Sequence, residues 1–159
     1  MNIDKAIELR KSGKLKESNN LLLTLIEAFP EDACVHYQCA WSFDALGEEA
    51  EAVRFYERAL ELGLNGEDLE GALLGLGSTY RTLGKYEESK ETFEKGMRLF
   101  PNNYALKVFY SMTLYNLNEH QSAMELLLKC LLETTENEDI QQYKKAIAFY
   151  SDKLSETWT

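Results

Sequence analysis

The chain has 159 residues, of which 45% are hydrophobic, with nine glycines, two prolines and a net charge of −10. This is long enough for one domain with a sizeable core and too apolar for a disordered chain. An acidic chain without a basic stripe repels phosphate backbones, which argues against nucleic acid as a partner.

The charge is unevenly placed. Residues 31–70 hold eleven acids against Arg54 and Arg58, whereas residues 1–16 hold five Lys/Arg against two acids. The longest apolar run, LLLTLI at 21–26, is too short to span a bilayer, and MNIDKAIELRKSGK at the start has no apolar stretch of a secretion signal. A cytoplasmic chain without membrane contact is expected.

The first predicted unit, about 1–32, carries Ala6, Leu9, Gly13, Ser18, Leu22, Leu25 and Pro30. Its second half, GKLKESNNLLLTLIEAFP, returns 71 residues later as GKYEESKETFEKGMRLFP, with the same Gly-Lys, Glu-Ser and Phe-Pro. A third version, GEEAEAVRFYERALELGL, starts at Gly47, so the turn glycines are 34 and then 37 residues apart. A fixed period of this size marks a stacked repeat. The second unit, 33–66, keeps its small residues at Cys39, Ala40, Ala52 and Ala59, with His36, Phe43 and Tyr56 as its larger markers.

The third unit, 67–103, is the clearest. Leu73, Leu76, Gly77, Tyr80 and Leu83 share one helical face, and Gly84 then supplies the left-handed backbone of a helix end. Tyr86, Ser89, Phe93, Gly96 and Met97 form the stripe of a second helix, which Pro101 closes. The three extra residues of the longer period fall in NGEDLE and lengthen the first helix by nearly a turn, opening it near Gly66 or Glu67. The fourth unit, 104–136, has Tyr110, Ser111, Leu114, Ala123, Leu127 and Cys130, with Asn118 in place of the turn glycine. Beyond it, Ile140, Tyr143, Ile147 and Tyr150 predict a ninth, capping helix over about 137–155, on whose polar side Ala148 and Phe149 fit poorly.

Four helix-turn-helix units in register resemble the tetratricopeptide repeat family over residues 2 to about 135. The resemblance implies an all-α fold, a right-handed superhelix (α-solenoid) of four repeats plus a C-terminal capping helix in one domain, 1–159. It also implies that the first helix of each pair lines a concave side that binds another protein or peptide.

On those first helices a second stripe stands beside the core stripe: Ile3 and Ile7, Tyr37 and Trp41, Leu74 and Ser78, Val108 and Met112, with Phe109 and Tyr115 adjacent. Ile3 and Ile7 suit either core or groove. Arg81, with Arg10 and Asp44, adds charge. Gly71, Gly75 and Ser78 form the expected floor of a trough flanked by Trp41 and Phe109. Two glycines four apart inside a helix cost about 1 kcal/mol each relative to alanine, so either a bound side chain or a tightly packed neighbouring helix must come close. The places where some family members grip a C-terminal carboxylate hold Tyr37, Trp41, Gly75, Ala105 and Phe109, so that grip is absent.

No catalytic, cofactor or metal arrangement is legible. Cys34, Cys39 and Cys130 read as small buried apolar residues, and His36 and His120 are isolated. The expected function is non-catalytic binding of an apolar peptide or helix. The alternatives are a chaperone for a secreted or unstable client, and self-association through the groove or through Phe149 and Trp158.

Overall fold

The computed structural model describes residues 2–159, and among these it has ten helices and no strand. They are α1 (Ile3–Lys11), α2 (Leu15–Ala28), α3 (Ala33–Leu46), α4 (Glu49–Leu62), α5 (Gly66–Thr82), α6 (Tyr86–Leu99), α7 (Tyr104–Asn116), α8 (His120–Thr134), α9 (Glu138–Gln142) and α10 (Lys144–Tyr150). The chain divides into two compact units, 1–92 and 93–159, with the boundary inside α6.

In the first unit consecutive helices pack in turn from α1 to α5, and the first helices of successive pairs also touch, α1 on α3 and α3 on α5. Small residues on the core stripes permit this closeness: Ala6, Ala40, Ala52, Ala59 and Ala72 have no exposed surface. Larger residues fill the remaining space, with Leu22 wholly buried and Tyr56 and Leu76 nearly so. Each leucine of this kind contributes about 1.5–3 kcal/mol through burial. Two repeats share one polar contact. Ser18 Oγ donates to the Ala6 carbonyl and Ser89 Oγ to the Gly77 carbonyl, each at 2.7 Å across 12 residues. Each hydroxyl bonds the backbone of the facing helix, so its burial leaves no donor unsatisfied.

The turns follow from the residues at the helix ends. Gly84 has φ +75° and Asn118 φ +61°, so both occupy the left-handed region that the repeat requires between paired helices. Asp32 and Asn103 cap the first helices after their loops, accepting from the amides of Val35 and Leu106. The lengthened α5 opens at Gly66.

In the second unit α7 packs on α8, and α8 meets α10. Phe93 is wholly buried, with its ring 6.4 Å from that of Tyr110. The single capping helix expected over about 137–155 is instead two short helices broken at Tyr143, whose φ of −104° and ψ of 15° leave the helical range. The physical reason lies in Gln141, whose Nε2 donates to the carbonyls of Leu132 and Thr135 and ties α9 to the end of α8. Tyr143 and Tyr150 are exposed, so only Ile140 and Ile147 of the expected apolar face are even half-buried. Phe149 joins Tyr150 and Trp158 in an exposed cluster of rings.

Candidate functional site

Spacing on α3 puts Tyr37, Trp41 and Asp44 along one stripe, and spacing on α5 puts Gly71, Gly75, Ser78 and Thr82 along another. Arg10 on α1 completes a face shared by α1, α3 and α5. Its Nη2 donates to Gln38 Oε1 at 2.7 Å and its Nη1 to the Gln38 carbonyl at 3.3 Å. The guanidinium lies 4.0 Å from the centroid of the Trp41 ring, a cation–π stack. Burial lowers the pKa of Arg10 from its ordinary value. Trp41 is 46% exposed, although Arg10 and Tyr37 hold its ring in place.

The expected trough does not exist in the form read from the glycines. Tyr37, expected in the groove, is only 7% exposed and belongs to the core cluster. A Cβ at Gly71 would stand 2.1 Å from its hydroxyl, and a Cβ at Gly75 would stand 2.4 Å from the hydroxyl of Tyr56. The space over both glycines is thus occupied by tyrosines of the neighbouring helices. Of the two explanations for the glycines, close packing within the chain is the one the structure shows.

Beyond that packing lies a polar feature that sequence reasoning missed. A cleft of about 220 Å³ is lined by Asp44, Glu49, Ser78, Thr79 and Thr82. Tyr56 donates to Asp44 Oδ2 at 2.7 Å, while Thr79 Oγ1 lies 2.9 Å from Asp44 Oδ1 and 2.7 Å from the Gly75 carbonyl. The Thr79 hydroxyl has one proton for two acceptors. It is shared between the Asp44 carboxylate and the Gly75 carbonyl. Burial raises the Asp44 pKa, the Tyr56 and Thr79 bonds pull it down, and the nearby Glu49 charge adds to the rise. The signal available in the sequence was Asp44 with Tyr56 and Thr79 on three successive helices, but only tertiary packing brings them together.

The remaining expected residues fall into two groups. Leu74, Ser78 and Arg81 are half-buried on α5 in the first unit. Val108 and Phe109 are half-buried on α7 in the second unit, while Met112 and Tyr115 are exposed, Tyr115 to 64% and packed on the His120 ring. Ile3 and Ile7 are half-buried. Cys39 is buried and its thiol pushed up to about 12 by that burial, which disfavours a thiolate nucleophile. Among the described residues no cluster of His, Cys, Asp and Glu could hold a metal ion, and no helix is long and apolar enough to cross a membrane.

The tetratrico peptide repeat family matches residues 33–154. The chain belongs to this family. Over its length it is similar to YrrB, a TPR protein described as having an unusual peptide-binding site, with a TM-score of 0.72, 16% identity, and coverage of 95% of this chain and 77% of that one. That likeness supports the fold. Superkiller protein 3 of Saccharomyces cerevisiae is 27% identical over 108 residues, 64% of this chain and 7% of its own length. The aspartyl/asparaginyl beta-hydroxylase of Mus musculus is 26% identical over an alignment spanning 98% of this chain and 22% of its own. The photosystem I assembly protein Ycf3 of a Synechococcus species is 34% identical over 77 residues, 48% of this chain and 44% of its own. The TPR chain thus spans less than half the length of each of these three relatives.

Proposed function

We propose that this TPR chain is a non-catalytic protein-binding module. It takes an extended or helical segment of another protein on the α1–α3–α5 face of its first unit, with Trp41 as the central anchor. The observation that carries the reading is the Trp41 ring, 46% exposed yet fixed between Arg10 and Tyr37. Aromatic and arginine side chains held in place before binding are the groups that dominate interface energetics. Leu74, Ser78 and Arg81, half-buried on α5, belong to the same proposed face. On α7, Val108, Phe109, Met112 and Tyr115 offer the second unit a contact stripe of the same kind. Membership of a family of interaction modules supports the reading, as does the peptide site described for YrrB. No cofactor or metal enters into it.

The test is selection of binders from a random dodecamer peptide library, followed by affinity measurement on variants. Trp41→Ala is expected to weaken selected peptides at least about tenfold, the scale of losing one anchor. Arg54→Glu is the control, because Arg54 is exposed on α4, where it pairs with Glu51 and lies over the Phe55 ring. Normal binding by Trp41→Ala together with loss in Arg54→Glu would place the functional surface elsewhere.

A second reading has its own observation. Phe149, Tyr150 and Trp158 form an exposed ring cluster in the second unit, with Lys153 Nζ 4.6 Å from the Phe149 centroid. Such a patch suits self-association. Light scattering across a concentration series should then show a mass that rises in the wild type and not in Phe149→Ser/Trp158→Ser. The name of the Ycf3 relative, an assembly protein, favours the related use as a chaperone for an unstable client.

A further inference from the structure

Among the described residues, Arg10 stands on the proposed binding face without a counter-ion. Its partners are the Gln38 side-chain oxygen, the Gln38 carbonyl and the Trp41 ring, all of them neutral. Arg54 and Arg58, by contrast, pair with Glu51, and with Glu31 and Glu61. Half-buried Arg58 thus faces two carboxylates, whereas half-buried Arg10 faces only neutral groups among the described residues. It cannot shed its charge at any working pH, so its partial desolvation is met by hydrogen bonds and the Trp41 ring but by no opposite charge in the free protein.

The open part of the guanidinium defines what fits there. Of its five N–H groups, Gln38 engages two. Trp41 covers one face of the plane. The unengaged donors lie in that plane and call for a planar acceptor with two oxygens, and a carboxylate meets a guanidinium fork in this way.

We propose that Arg10, braced by Gln38 and Trp41, receives an Asp or Glu side chain of the segment bound at Trp41; the proposal rests on the binding face assigned above. The occupant assigned is a side-chain carboxylate and not a chain terminus, because the exposed Trp41 ring and half-buried Asp44 continue the α3 stripe past Arg10. Arg10 also lies outside the places of the C-terminal grip, which here hold Tyr37, Trp41, Gly75, Ala105 and Phe109.

The test uses a dodecamer selected on the wild-type chain, synthesised with an acetylated N-terminus and an amidated C-terminus so that it carries no terminal carboxylate. Its acids are changed singly to the amides and each peptide is titrated against wild type and Arg10→Gln. One Glu→Gln or Asp→Asn change should weaken wild-type binding about tenfold, the scale of a hydrogen-bonded charge pair. The same change should leave Arg10→Gln unaffected, and Arg10→Lys should fall between. Should Arg10→Gln melt below the assay temperature, Arg10→Met, which keeps an apolar stem beside Trp41, carries the same cycle. Equal losses in both proteins, selected peptides without any acid, or binding that needs a free C-terminus would each overturn the proposal. If Trp41→Ala still abolishes binding in those cases, the binding face survives and only the carboxylate assignment fails. If no peptide is selected, or binding ignores Trp41, both fall.

Discussion

A Cβ at Gly71 would meet the Tyr37 hydroxyl at 2.1 Å and the ring carbon behind it at 3.0 Å. Alanine normally gains about 1 kcal/mol over glycine inside a helix, but overpacking a filled core costs about 1–3 kcal/mol. Gly71→Ala should therefore destabilise the chain. The cost should shrink in a Tyr37→Phe background, where the closest atom is gone. Urea melts of the four proteins form a cycle, and equal costs in both backgrounds would show that Tyr37 does not sit over Gly71. At Gly75 the Tyr56 ring comes as close as 2.6 Å, so Gly75→Leu should fail to pack and not merely fill a groove. Asp44 supplies a pH test. Its carboxyl is raised mainly by burial, with the Glu49 charge adding to the rise against the Tyr56 and Thr79 bonds. A raised folded value means that its stabilising contribution is full below the ordinary carboxylate pKa and is lost as pH rises through the raised one. Asp44→Asn does not titrate. Between about pH 3 and pH 7, bracketing the carboxylate range, its melting temperature should therefore improve relative to wild type. A difference that stays constant with pH would show that Asp44 titrates normally.

Among the elements, the paired helices were legible because a fixed period, small core residues and turn residues all point to one arrangement. Gly84 and Asn118 hold the same turn with φ of +75° and +61°. Gly84→Val should cost more than about 1 kcal/mol because a β-branched residue resists positive φ, whereas Asn118→Gly should be neutral or slightly stabilising. Melts unaltered in both would refute the shared turn. The C-terminal break was not legible. The spacing of Ile140, Tyr143, Ile147 and Tyr150 sets which side is apolar, but it does not encode the Gln141 bonds to Leu132 and Thr135 that tie α9 to the end of α8. Deleting residues 137–159 removes those bonds and uncovers the side of α8 that meets α10. The truncated chain should lose several kcal/mol, on the scale of about 1.5–3 kcal/mol for each buried large apolar side chain that is uncovered, and should aggregate. A monomer that melts at the wild-type temperature would show that α9 and α10 do not act as a cap.

For the molecule as a whole, the sequence made the residue types of the proposed binding face visible but not their burial. Of the residues named for it, Trp41 is 46% exposed and stacks with Arg10. Tyr37 was named as well, yet it packs down onto Gly71, because helix spacing gives a direction and not the depth of a neighbour. The polar cleft of Asp44 and Glu49 needed three helices to assemble and left no local pattern. Net charge, by contrast, is fixed by the sequence and acts at long range. Residues 31–70 carry −9 and belong to the same unit as the face, whereas residues 1–16, Arg10 among them, carry +3. A segment with an acid for Arg10 and basic residues beside it would be drawn in and oriented by this field. Selected dodecamers of that composition should associate more slowly as salt rises, by about tenfold between roughly 0.05 and 0.5 M, because exposed charges are screened beyond a few ångströms. Their dissociation should change little, being governed by contact with Trp41. Stopped-flow tryptophan fluorescence separates the two rates. Glu61→Gln/Glu67→Gln, two exposed positions of the acidic run, should slow association at low salt and match wild type at high salt. An association rate indifferent to salt, with the whole effect in dissociation, would mean that the uneven charge plays no part in recruiting the partner.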